Sequence, residues 1–204
     1  MATEKAELTL QGLSDRMSLR LSALLLVFWL VMLAVSAVFA TGMTSGWKLA
    51  FWSTPVFAGL FILSVIDLRS FRLPDYLTLP LLGLGLAFIL VERRDDLILH
   101  IAGAGTAYLI VYALYAVWKF RFGRAGIGLG DAKFLAVCGM WCGIFAIPLI
   151  FLIASGSGLI VTLLIRLFCR SAKIGPNAAI PFGPFIATAL VVYWLFEDLI
   201  RIGP

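Results

Sequence analysis

The apolar residues of this chain fall in long blocks: Leu21–Gly42, Leu49–Ile66, Tyr76–Val91, Leu97–Trp118, Ala132–Ile165 and Ala178–Phe196. About 20 apolar residues in a helix cross the hydrocarbon core of a bilayer, so each block predicts a membrane helix. The fifth block is too long for one crossing. Its 34 residues at about 1.5 Å each reach about 51 Å, against a core of about 30 Å. Gly and Pro between Gly143 and Pro148 can break a helix. A division there gives about seven transmembrane helices in one bundle, an all-α polytopic membrane protein.

Charge supports the division. With the N-terminus inside, seven spans place Lys5, Arg16, Arg20, Arg69, Arg72, Lys119, Arg121, Arg124, Lys133, Arg166, Arg170 and Lys173 in the cytoplasm. Lys48, Arg93, Arg94 and Arg201 then fall outside, a split of 12 to 4. An undivided fifth block gives 10 to 6. Cytoplasmic loops carry the excess of Lys and Arg, so seven spans are preferred, with the C-terminus outside.

Residues 1–20 form a cytoplasmic N-terminal segment in this scheme. Leu10, Leu13 and Met17 stand at helical spacing there, so the segment either lies on the inner membrane surface or is a short disordered tail. VFA ending at Ala40 is a possible signal-peptide cleavage site, but Leu21–Gly42 exceeds the usual signal core of about 7–15 residues, which favours an uncleaved helix. Residues 21–204 are then one membrane-embedded domain, with the span 21–42 as an N-terminal addition. The loops leave no room for a soluble catalytic domain, so any chemistry must come from the spans and their ends.

Composition narrows the classes. The chain is 62% hydrophobic and 13% charged, where a soluble domain carries about 25% charged residues. That excludes a soluble globule, a disordered chain and a basic nucleic-acid-binding domain. The net charge of +5 reads as loop charge that orients the spans in a lipid bilayer, with no nucleic-acid partner. Cys138, Cys142 and Cys169 form no CxxC and have no histidine beside them, so they read as small buried residues and no metal site is expected.

Three acids stand at the predicted inner ends of spans. Asp67 follows an uncharged 18-residue run, Asp75 comes eight residues later, and Asp131 opens the fifth block in GIGLGDAKFLAVCG. An acid within a span is costly and usually has a role. Each can also be an interfacial charge paired with a nearby Arg or Lys, and for Asp75, beside Pro74 and close to Arg72, that reading is preferred. Gly126, Gly128 and Gly130 precede Asp131. They permit unusual backbone angles and close approach of another chain, although a flexible loop ending in an Asp helix cap explains the same pattern. No Gly-Lys-Ser/Thr follows, and GxGxxG is not matched, so neither a phosphate loop nor a dinucleotide site is indicated.

His100, the single histidine, sits at the outer end of the fourth span. It cannot reach the inner acids, which excludes a Ser-His-Asp triad with them, and there is no HExxH. A carboxylate pair remains. Two carboxylates held close share one proton, so one acts as base on water while the other donates to a carbonyl oxygen.

DLRSFRLPDYLTLP, GIGLGDAKFLAVCGMWCG and IPFGPFIA resemble, in order, three blocks of the type IV prepilin peptidases, membrane-embedded aspartic proteases of the GxGD class. The resemblance covers about residues 50–196. It implies Asp67 and Asp131 as the catalytic pair and Asp75 as a non-catalytic acid. It also implies cleavage of the short basic leader of type IV pilin-like precursors after a glycine, at the cytoplasmic face of a bacterial inner membrane, with no cofactor. Larger members carry an N-terminal insert with paired CxxC motifs linked to methylation of the new N-terminus. No CxxC occurs here, so methyltransferase activity is not expected.

A pilin precursor is a hydrophobic helix behind a basic leader, so the leader junction would lie at the inner interface. The small residues Gly128 and Gly130 leave room beside the scissile bond. Lys133 would orient Asp131, meet substrate, or simply anchor the inner surface. Pro181, Gly183 and Pro184 in IPFGPFIA break the start of the last span, either lining the site or as a structural kink. Two rival readings remain. One is a small transporter or channel subunit with acids at its inner face. The other is a structural subunit with Gly139–Gly143, Gly156 and Gly158 as helix-packing positions.

Overall fold

The computed structural model describes residues 46–123, 128–168 and 181–200. Their secondary structure is entirely helical: α1 (Gly46–Ser70), α2 (Asp75–Glu92), a 3-10 turn (Arg94–Asp96), α3 (Leu97–Phe122), α4 (Leu129–Cys142), a second 3-10 turn (Ile144–Ala146), α5 (Ile147–Phe168) and α6 (Gly183–Ile200). Among the described residues, four segments are long and apolar enough to cross a membrane: Phe51–Ser70, Asp75–Glu92, Arg94–Phe122 and Ile144–Leu164. Gly183–Leu195 is a shorter apolar helix. The predicted span 21–42, Gly126 and Cys169 lie outside the described residues.

The chain divides into two compact units, residues 1–61 and 62–204. The described part of the first is the opening of α1, with Val56, Phe57 and Leu60 buried. The second contains the end of α1 and every later helix. Its centre is α4, which packs chiefly on α3 and also on α2 and α6. Every residue from Phe134 to Cys142 except Ala136 is buried. A helix that is apolar on all sides is stable only when enclosed, and α4 is enclosed by its neighbours.

The fifth apolar block does break at the predicted place. Gly143 ends α4 with φ 80° and ψ 174°, and Pro148 sits in the first turn of α5, where its missing N–H costs no helical bond. The two halves are unequal, however. At about 1.5 Å per residue, the 14 residues of α4 reach about 21 Å, short of a bilayer core of about 30 Å. The block is therefore one short enclosed helix followed by a full-length one, divided where expected but unequally.

Glycines let α3 and α4 touch backbone to backbone. A Cβ on Gly103 would come within 2.7 Å of the Gly139 carbonyl oxygen, and a Cβ on Gly139 would collide with the Gly103 backbone. Gly158 accommodates Phe182 and Phe185 at the α5–α6 contact. Among the described residues, nothing comes within 4 Å of a Cβ built on Gly156, another packing position of the rival structural reading.

One end of the bundle is closed by polar pairs. Glu197, 3% exposed, accepts from Arg93 at 2.6 Å. His100 donates through Nδ1 to the Met140 carbonyl at 2.8 Å. Trp141 donates to the Leu81 carbonyl at 2.9 Å and packs with Phe88 and Trp194. Buried polar groups need such partners, since an unpaired one is costly away from water. Cys138 and Cys142 are buried and free, as expected. The 18 residues of α2, about 27 Å of helix, separate this layer from Asp75, which fits the exclusion of His100 from any site built on the acids.

Candidate active site

The other end of the bundle gathers the end of α1 and the starts of α2, α4 and α6. Asp67 lies in the last turn of α1 and is 5% exposed. Its Oδ2 accepts the backbone N–H of Gly183, the first residue of α6, at 2.8 Å. The first N–H groups of a helix lack intrahelical partners, so a carboxylate from α1 caps α6. Glycine keeps this contact undisturbed: a Cβ on residue 183 would stand 2.8 Å from Asp67 Oδ2 and 3.1 Å from its Cγ, so Asp67 would have to shift. Pro181 and Phe182 precede the helix outside regular structure, and buried Pro184 follows in its first turn.

Asp131 lies in the first turn of α4, partly buried. Its N–H donates to the Gly128 carbonyl at 3.2 Å. Gly128 occupies the N-cap position in extended geometry, and a Cβ there would lie 3.3 Å from Asp131 Oδ2. A Cβ on Gly130 would lie 3.1 Å from Cβ of Leu73, in the loop between α1 and α2. The GxGD segment thus lets that loop come down beside Asp131. Asp67 and Asp131, on helices far apart in sequence, are close enough for Asp131 to sense the charge of Asp67.

Lys133 does not join this pair. Its Nζ donates to both carboxylate oxygens of Asp75, at 2.6 and 2.8 Å. The expectation that Asp75 is a paired interfacial acid holds, with Lys133 rather than Arg72 as the partner shown. Two further residues at the site carried no signal in the sequence reading. Phe71 has φ 52° and follows the last turn of α1, donating its N–H to the Asp67 carbonyl at 2.8 Å. Leu73 packs against Gly130. A left-handed residue at a helix end is usually glycine, so phenylalanine gave no warning.

Two acids brought together at one end of a helical membrane bundle can share a proton and work as an acid–base pair. Among the described residues, no group of three or more His, Cys, Asp or Glu side chains could hold a metal ion. The fold and site define a polytopic membrane protein with an aspartate pair at the ends of its helices. The type IV leader peptidase family matches residues 55–163, a stretch that contains both acids. A prepilin leader peptidase/N-methyltransferase of Aeromonas salmonicida (strain A449) is 38% identical over 81% of this chain and 56% of its own length. Proteins of the same name from Pectobacterium carotovorum subsp. carotovorum and Escherichia coli (strain K12) are each 39% identical. The first aligns over 68% of this chain and 49% of itself, the second over 67% and 59%. This chain belongs to the type IV leader peptidase family. It spans about half the length of these relatives. No solved structure gives a significant match.

Proposed function

We propose that this chain is a membrane aspartic endopeptidase that removes the leader of type IV pilin-like precursors, cutting after a glycine at the cytoplasmic face. The observation that carries the reading is the meeting of Asp67 from α1 and Asp131 from α4 within electrostatic reach. The two share one proton. The ionised carboxylate takes a proton from a water as its oxygen attacks the scissile carbonyl carbon, while the protonated one donates to the carbonyl oxygen. The tetrahedral diol then collapses: the carboxyl that took the water's proton gives it to the leaving nitrogen as the C–N bond breaks, and the other carboxylate takes a hydroxyl proton as the carbonyl re-forms. Gly128, Gly130, Pro181, Gly183 and Pro184 shape the site around this pair.

The substrate's hydrophobic helix enters the bilayer and leaves the leader junction at the inner interface, where the acids stand. We place the N-terminus in the cytoplasm and the C-terminus outside, across seven spans in the inner membrane, on the 12 to 4 split of basic residues. A reporter fused after Pro204 tests this, and a cytoplasmic signal from it overturns the orientation. A transport role fits less well, because both acids sit at one end of the bundle rather than along a path through it.

Co-expression with a pilin-like precursor tests the activity. The precursor shifts to its mature size when this chain is present. An unshifted precursor beside membrane-inserted protein overturns the reading.

A further inference from the structure

The pair between Asp75 and Lys133 closes a ring around the two acids. Asp67 leads through the end of α1 and the loop Phe71–Pro74 to Asp75, the first residue of α2. Asp75 binds Lys133 through both carboxylate oxygens, and Lys133 lies two residues beyond Asp131 in α4. Three features tighten the loop within this ring. The Phe71 N–H is tied to the Asp67 carbonyl at 2.8 Å. Leu73 is seated on Gly130, where a Cβ would come within 3.1 Å. Phe71 holds φ 52°, an unfavourable backbone for a residue with a side chain. Such a conformation persists only where the surroundings over-determine it.

We propose that Asp75 and Lys133 are positioning residues, a clasp that holds the loop onto α4 and thereby sets the approach of Asp67 to Asp131. The proposal rests on the peptidase reading. The two side chains are 56% and 39% exposed. An exposed ion pair adds little to stability, so the value of this one lies in alignment. A displacement of about 1 Å at reacting groups can cost about 100-fold in rate, so a contact of small stabilising effect can govern turnover.

The test is a charge swap in the full chain, assayed in detergent with a leader-containing precursor. Asp75→Lys and Lys133→Asp each place like charges across the clasp. Each is expected to lower kcat about tenfold or more while KM stays within about threefold, the pattern of lost alignment rather than lost binding. The double swap is expected to recover kcat to within about threefold of native, because it restores the pair with its sign reversed. Lys133→Met removes the ion pair without placing like charges together and is expected to lower kcat several-fold at unchanged KM, which covers the case in which a reversal fails to fold; native kcat in Lys133→Met overturns the clasp. A rise in KM at unchanged kcat, without rescue by the swap, means that these residues meet the leader directly and overturns the clasp. Melting temperatures of the same four proteins give a cycle that does not depend on cleavage. Loss in each single reversal and recovery in the swap is expected, and additive losses overturn the clasp. A native chain that cuts nothing overturns the peptidase reading, whatever the melting cycle returns.

Discussion

Gly183 and Asp67 are 116 positions apart in sequence, and the backbone N–H of the first donates to Oδ2 of the second at 2.8 Å. The bond fixes one oxygen of Asp67 against the start of α6. A side chain at residue 183 would also push on Asp67, since a Cβ would sit 2.8 Å from that same oxygen. Gly183→Ala is therefore expected to displace Asp67 and to lower precursor cleavage by about 100-fold, the scale of a misplaced reacting group. Membrane insertion should be unchanged. Cleavage by Gly183→Ala membranes at the native rate would show that the contact does not hold Asp67 in its working position.

The two acids are expected to be jointly indispensable. Asp67→Asn and Asp131→Asn keep the shape of each side chain but remove the group that gives or takes a proton. Loss of a positioned acid or base costs about 100- to 10,000-fold, so neither variant should visibly process precursor in membranes. Asp75→Asn can still accept from Lys133 and should retain substantial activity. Quantified precursor and mature bands from the three strains decide this, and processing at the normal rate by either dyad variant sinks the assignment.

These residues were legible to different degrees. Asp67, Asp75 and Asp131 stood out as acids at the ends of apolar runs, and the resemblance to the prepilin peptidases singled out Asp67 and Asp131 as the pair. The break at Gly143 was marked by the local chemistry of Gly and Pro. The short length of α4 was hidden, because an enclosed helix and a membrane span are equally apolar. Lys133 was singled out but its partner was not, since a contact 58 residues away is a property of how α2 and α4 pack. The rival structural reading named Gly139 and Gly156 as helix contacts: Gly139 makes one, with a Gly103 that the reading did not name, and among the described residues nothing lies within 4 Å of a Cβ on Gly156. A glycine in an apolar run reports permission for close approach, and only the tertiary arrangement decides which permissions are used.

That distinction can be measured. Gly139→Ala puts a methyl group into the Gly103 backbone, where no flexible side chain can yield. Overpacking of a well-filled interior costs about 1–3 kcal/mol, and the rigid neighbour places this case at the upper end. Gly156→Ala meets no described atom within 4 Å and, in a helix interior, should be neutral or stabilising by up to about 1 kcal/mol. Thermal unfolding in detergent, read from tryptophan emission, compares the two. Equal melting temperatures would mean that α3 and α4 are not held at the Gly103–Gly139 contact.

Finally, this chain is expected to cut without methylating and without a metal. The relatives carry a double name, prepilin leader peptidase/N-methyltransferase. This chain contains no CxxC pair, the feature that the larger family members associate with methylation, and its loops between spans are too short to hold a soluble cofactor domain. A carboxylate pair activates water by proton transfer alone, so cleavage should survive a chelator. One assay tests both halves: purified protein, a synthetic leader-containing substrate, chelator, and labelled S-adenosylmethionine. The expected product is the mature fragment, released at the same rate with or without chelator and carrying no label on its new N-terminus. Cleavage lost with chelator and restored by zinc would overturn the aspartic mechanism, and label on the product would overturn the peptidase-only activity of this chain.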